Sequence, residues 1–224
     1  MCSSDLDNVG RHYKFHALTW LIALSVRRVN DVLRKTALLT SAAFPHSSVQ
    51  NTGCIDGEMF AAEAPPWLPR RVCDVLGRRA YGFFLQTEDG SHRDNRVLAL
   101  PDGRRQLDYD IARLPAAAAE HRQLTRTLRS QFLRLGYLPV VKPVGIDGTA
   151  HACGTLMTGD DPRHSVVDAS GRVHGLDNLY VVDGSVLPRS SRVNPALTIY
   201  AWALRVASLL PQSARQSAGE VASV

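Results

Sequence analysis

Hydrophobic residues recur at helix-like intervals over about 17–40, where Trp20, Leu24, Val29, Val32, Leu33 and Leu38 predict an amphipathic helix after a polar loop at 1–16. Residues 41–70 read as turns, from Pro45, Gly53, Gly57 and the run Pro65-Pro66-Trp67-Leu68-Pro69. Two short strands are expected at 81–86 and 95–100, with Asp89-Gly90 turning the chain between them and Asp102-Gly103 turning it after the second. The clearest helix covers about 115–135. Pro115 suits its first turn, Leu124, Leu128, Phe132 and Leu135 form one stripe, and Gly136 fits the position just past its end. Arg122, Arg126 and Arg129 form a separate face, which reads either as solvated or as a stripe able to hold phosphates.

After about residue 145 the chain becomes denser in Gly, Asp and Val, and three features draw the eye. His151 stands just before Gly154-Thr155, where glycine backbone can approach a bound reactant; the residue reads as a base or as an ordinary hydrogen-bonded histidine. The run Asn178-Leu-Tyr-Val-Val-Asp183-Gly184 reads as a strand buried on both faces, ending in a turn that is either ordinary or placed for a ligand. Asn194-Pro195 then opens an apolar helix closed by Pro211. Asn194 is expected as its N-cap, Pro195 as its first residue, and the helix itself as buried.

Composition narrows the class. With 224 residues, 45% of them hydrophobic, the chain can build a sizeable core. The formal charge of +5 comes almost entirely from scattered arginines, since Lys14, Lys35 and Lys142 are the only lysines, and no long basic run suggests nucleic acid. Cys2, Cys54, Cys73 and Cys153 form no CxxC pair and read as reduced thiols of a cytoplasmic protein. No metal site is expected, the His12/His16 pair having no carboxylate nearby. The apolar run from Leu18 to Val26 is about half the ~20 residues needed to cross a bilayer, so no membrane association is expected. No two glycines are separated by a single residue, so a GxGxxG dinucleotide fingerprint is impossible here. The two glycine pairs with P-loop spacing lack its lysine, and HExxH and GxSxG are also absent.

Taken together, residues 147–210 resemble the C-terminal signature of the glucose–methanol–choline (GMC) flavin oxidoreductases. The resemblance runs through His151-Ala-Cys-Gly-Thr155, Gly159-Asp-Asp-Pro162, Gly171-Arg-Val-His-Gly175, Asn178 to Pro188 and Asn194-Pro-Ala-Leu-Thr198. Asn8-Val-Gly-Arg-His-Tyr13 and Asp94-Asn-Arg-Val97 are similar to shorter family segments. The resemblance implies FAD as cofactor and oxidation of a small-molecule alcohol, with His151 as base and Asn194 as its partner on the substrate oxygen. It also implies flavin contacts from Asp183, Gly184, Asn194 and Pro195. Where family members carry an arginine after Gly-Thr, this chain has Met157-Thr158-Gly159.

The implied fold class is α/β. Residues 1–146 would be part of an α+β substrate-binding domain, 147–212 a returning segment of the FAD-binding α/β domain, and 213–224 a flexible tail. With no ADP-binding βαβ unit, the chain is either active with a separate chain carrying that half, or an inactive fragment.

Overall fold

The computed structural model describes residues 7–29, 36–148 and 151–210. Its centre is a five-stranded antiparallel sheet in the order β2-β3-β4-β1-β7, formed by β1 (His16–Leu24), β2 (Leu38–Ser41), β3 (Phe44–Cys54), β4 (Ala80–Glu88) and β7 (Leu138–Val144). The expected helix over 17–40 is therefore wrong in its first half, where β1 runs, and at its end, where β2 begins, while residues 30–35 lie outside the described ones. The reason is physical. β1 is a central strand buried on both faces, so its apolar residues do not alternate and their spacing mimics a helix. Residues 41–70 likewise hold more than turns. The sheet's longest strand, β3, carries Pro45 at its start, and α1 (Gly57–Glu63) follows with Asp56 capping it through Met59 N–H.

The 20-residue helix α3 (Pro115–Arg134) forms where expected, with Pro115 in its first turn. Gly136 sits at φ +82° and Tyr137 N–H returns to the Phe132 carbonyl, closing the helix end. Leu124, Leu128 and Phe132 pack on Leu21, Ala23, Val49 and Leu85 on one face of the sheet. A polar chain docks the same helix. His121 bonds Thr19 Oγ1 and Thr87 Oγ1, each at 2.8 Å, Thr87 meets Ser47, and Ser47 donates to Glu120 at 2.6 Å.

The opposite face carries Trp20 and Ile22, which pack with Ile55, Ala80, Met59 and Phe60 beside α1 and α2 (Arg70–Gly77). Because side chains alternate along a strand, His16 on β1, Gln86 and Glu88 on β4, and Ser48 and Gln50 on β3 lie on this second face. β5 (Arg96–Ala99) and β6 (Arg105–Asp108) make a separate hairpin through Asp102-Gly103, where the sequence predicts a turn but no strand after it.

Residues 151–195 form irregular turns around Val166, Val167 and Val186, packed with Leu156, Val181 and Trp202. The helix α4 (Ala196–Leu209) follows. Two expectations fail here. Residues 178–182 make only a single bridge, Arg172 to Tyr180, and Leu179 and Val182 are nearly half exposed. In α4 only Val206 is buried, while Leu197, Tyr200 and Leu204 are 81%, 69% and 72% exposed. The apolar sequence is as read, but nothing in the described residues covers these surfaces.

Candidate active site

The end of the sheet near His16 is where the C-terminal segment is anchored. Lys14 and Cys153 exchange backbone bonds in both directions, at 3.0 and 2.9 Å, and Gly10 N–H bonds the Thr155 carbonyl at 2.8 Å. Gly154 lies between these contacts at φ +89°, and a Cβ there would stand 2.2 Å from the His12 carbonyl oxygen and 2.6 Å from Lys14 Nζ. Gly154→Ala combines a disfavoured backbone with an immovable backbone neighbour. It is expected to destabilise the chain by more than about 1 kcal/mol in urea unfolding. An unchanged midpoint would show that the segment shifts freely.

Three ionisable groups are buried around this anchor. Lys14 is fully buried, donates to the His12 carbonyl at 2.9 Å and lies against Met157 sulfur. Burial pushes its amine down to about 8, against the pull of Asp89, Cys153 and Glu88. Asp89, also fully buried, accepts from Phe15 N–H at 2.8 Å, and burial pushes its carboxyl up to about 7. Burial likewise raises the Cys153 thiol to about 11, so it is an inert packing residue rather than a nucleophile.

The loop 188–194, which leads into α4, is fastened almost residue by residue to the same strand ends. Arg189 makes a bidentate pair with Glu88, at 2.8 and 2.6 Å. His16 Nε2 lies 3.0 and 2.9 Å from the carbonyl oxygens of Ser190 and Ser191. Ser48 Oγ donates to the Arg192 carbonyl at 2.6 Å. Gln50 Nε2 makes long contacts to Gln86 Oε1 at 3.3 Å and to Asn194 Oδ1 at 3.4 Å. With its amide oxygen turned toward Gln50, Asn194 points its donor end elsewhere.

His151 meets His16 edge-to-face, with ring centroids 5.5 Å apart. Gly184 is buried behind this pair, where a Cβ would come within 3.1 Å of the Ala152 carbonyl oxygen and 3.0 Å of Ile199 on α4. The structure thus brings the segments of His151, Gly184 and Asn194 to one end of the sheet.

One expected detail is corrected. Asn194 does not cap α4; Pro195 occupies the N-cap position, no side chain bonds the first turn, and Asn194 faces Gln50 instead. Asp183 is exposed and caps its own turn through Ser185 N–H at 2.8 Å.

Sequence reading missed His16, Glu88, Arg189, Gln50 and Gln86 as parts of this site. His16 had been weighed only as half of a pair with His12, yet His12 bonds Ser91 and His16 bonds the 190–191 loop. For Lys14 the sequence carries one signal, that it is one of three lysines in a chain rich in arginine.

Part of the site suits one end of a flavin. The first turn of α4 has no side-chain cap, so its N–H groups are open to an electron-rich ring, and the close fit at Gly184 leaves no room for a side chain. Among the described residues no group of three potential metal ligands occurs, and no helix is long and apolar enough to cross a membrane.

The family model described as GMC oxidoreductase matches residues 92–203, half of the chain. The chain belongs to the GMC oxidoreductase family. The paromamine 6'-oxidase of Streptomyces fradiae is 36% identical over 173 residues, covering 70% of this chain and 28% of that protein. A cholesterol oxidase of Mycobacterium tuberculosis (strain ATCC 25618 / H37Rv) is 51% identical over 63 residues, covering 28% of this chain and 11% of that protein. Among solved structures, a formate oxidase superposes with a TM-score of 0.61 at 15% identity, over 90% of this chain and 47% of the other. That last likeness supports the mixed α/β fold with its antiparallel sheet. The GMC chain described here spans less than half the length of each of these relatives.

Proposed function

We propose that this chain supplies the base and substrate-binding part of an FAD-dependent oxidoreductase that oxidises the CH–OH group of a small-molecule alcohol. The observation carrying the proposal is the fastening of the His151 and Asn194 segments to one sheet end, beside the uncapped start of α4. Two relatives named as oxidases, of paromamine at its 6' position and of cholesterol, support the reaction class. In this reading residues 1–146 belong to the substrate-binding domain and 147–212 to the flavin domain. Three cysteines free of disulfides agree with a cytoplasmic setting.

Neutral imidazole at His151 would take the hydroxyl proton, and the Asn194 amide would donate to the substrate oxygen and hold it as negative charge develops. Asp183, Gly184, Asn194 and Pro195 would hold the flavin ring end, with the α4 N-terminus favouring negative charge there. FAD, when bound, supplies the acceptor for the hydride leaving the carbon.

The residues present do not fit the other end of FAD, because the chain has no glycine-rich loop to hold a pyrophosphate. The exposed apolar face of α4, together with Leu179 and Val182, favours a reading in which a dinucleotide-binding half, on a separate chain or as further sequence, covers that surface. The 224 residues alone are therefore expected to retain little FAD on gel filtration. A yellow chain with stoichiometric flavin would remove the need for that half. The activity itself is tested by anaerobic bleaching of a flavin-loaded form with primary and secondary alcohols, and a flavin that none of them reduces overturns the proposal.

A further inference from the structure

His151 and Asn194 are 43 residues apart, and the chain between them holds no continuous helix or strand, only a short 3-10 turn at Gly184–Val186. Their relative position must therefore be set by anchors elsewhere. His16 touches both parts: its ring meets His151 edge-to-face and its Nε2 bonds the loop three and four residues before Asn194. Carbonyl oxygens only accept, so Nε2 carries the ring proton.

The grip falls on an unusual piece of backbone. Ser191 has φ +65°, a left-handed conformation that a residue with a Cβ adopts rarely. Its carbonyl accepts from His16 on β1, and Arg189, two residues before it, pairs with Glu88 on β4. Glu88 stands opposite His16 in the β1–β4 ladder. The loop around Ser191 is thus tied to two adjacent strands of the sheet. His16 itself is only 4% exposed and sits at the start of β1, an interior strand paired on both sides by β4 and β7.

We propose that His16 is a positioning residue that keys His151 to the Asn194 loop. The proposal rests on the role assigned to His151 and Asn194 above, but its structural half stands on this chain alone. The charged and titratable groups facing His16 are His151, Glu88 with Arg189 paired to it, His46 beside Glu88, and the nearby Lys14 and Asp89. Burial holds the His16 imidazole below its ordinary basicity, so it stays neutral and places no positive charge beside the base.

Two variants separate the contacts. His16→Gln keeps an N–H donor near the position of Nε2 but loses the ring; His16→Leu loses both. In the full 224-residue chain without flavin, both variants are expected to lose the ring-current shift on the His151 ring protons in NMR. Only the Leu variant should also lose hydrogen-exchange protection in the 189–193 loop, whose carbonyls the Nε2 donor holds.

In the flavin-loaded form, His16→Leu is expected to lower kcat about tenfold to a hundredfold, the scale of a small misplacement of reacting groups, with KM changed less than about threefold. His16→Gln, which keeps the loop bonds but not the ring contact, should recover only part of the loss. If the Leu variant fails to fold, the Gln variant decides, because unchanged His151 ring shifts in it overturn the proposal. Parental kcat in a folded Leu variant overturns it as well. Should His151→Ala leave turnover untouched, the catalytic reading falls, while the ring shifts and exchange protection still report whether His16 joins the two segments.

Discussion

Replacing His151 with alanine is expected to lower turnover of the flavin-loaded enzyme about 10²–10⁴-fold, the usual cost of removing a general base. Substrate affinity should change far less. The Asn194 amide, which in the proposed reading holds the substrate oxygen, remains in place against Gln50 whether or not the proton is removed. The fold should also survive, since His151 lies in irregular chain whose position depends on backbone bonds of its neighbours, those of Cys153 to Lys14 and of Thr155 to Gly10. Stopped-flow flavin reduction at several alcohol concentrations separates the limiting rate from the dissociation constant. A parental limiting rate would mean that the histidine of this segment is not the base, and the assignment of the site would fail with it.

A second large effect is expected in stability, at His121. Burial against the sheet drives its imidazole down to about 4, while in the unfolded chain it titrates near its ordinary value of about 6.5. Between those two values the unfolded chain binds a proton that the folded chain excludes. The contribution of His121 is therefore complete above about pH 6.5 and is lost as pH falls toward 4, by up to about 3 kcal/mol. Protonation would also leave His121 with two donors facing the two threonine hydroxyls, and their chain of bonds to Ser47 and Glu120 would have to rearrange.

Other buried groups shift stability in the same range. His12 and His16 are lowered by burial and add to the loss, whereas Asp89, raised to about 7, works in the opposite direction. The measurement is therefore a difference: urea unfolding of the parent and of His121→Gln at pH 7 and pH 4.5. The gap between the two should narrow or reverse at the lower pH. A constant gap would show that the imidazole carries no such linkage.

Residues with local causes were legible from sequence. The helix α3 follows from Pro115, the Leu124–Leu128–Phe132 stripe and Gly136, all signals that act within a few residues. The strand β5 and the turn at Asp102-Gly103 follow from local signals in the same way. The candidate chemistry was legible too, because His151, Gly184 and Asn194 stand in a linear pattern similar to a known family. That pattern also showed what the chain lacks, since a glycine loop is a local motif.

The tertiary structure decided the rest. Burial on both faces turned an apparently helical pattern into the central strand β1, and no local periodicity distinguishes those cases. Asn194 was a reasonable helix cap by its neighbours, yet a sheet residue 144 positions away, Gln50, took its side chain instead. His16, Glu88 and Ser48 gained their roles only when antiparallel pairing placed three strand ends around the 188–194 loop. Such contacts join residues about 100 to 175 apart in sequence, and their free energy depends on desolvation and geometry that only the folded chain creates.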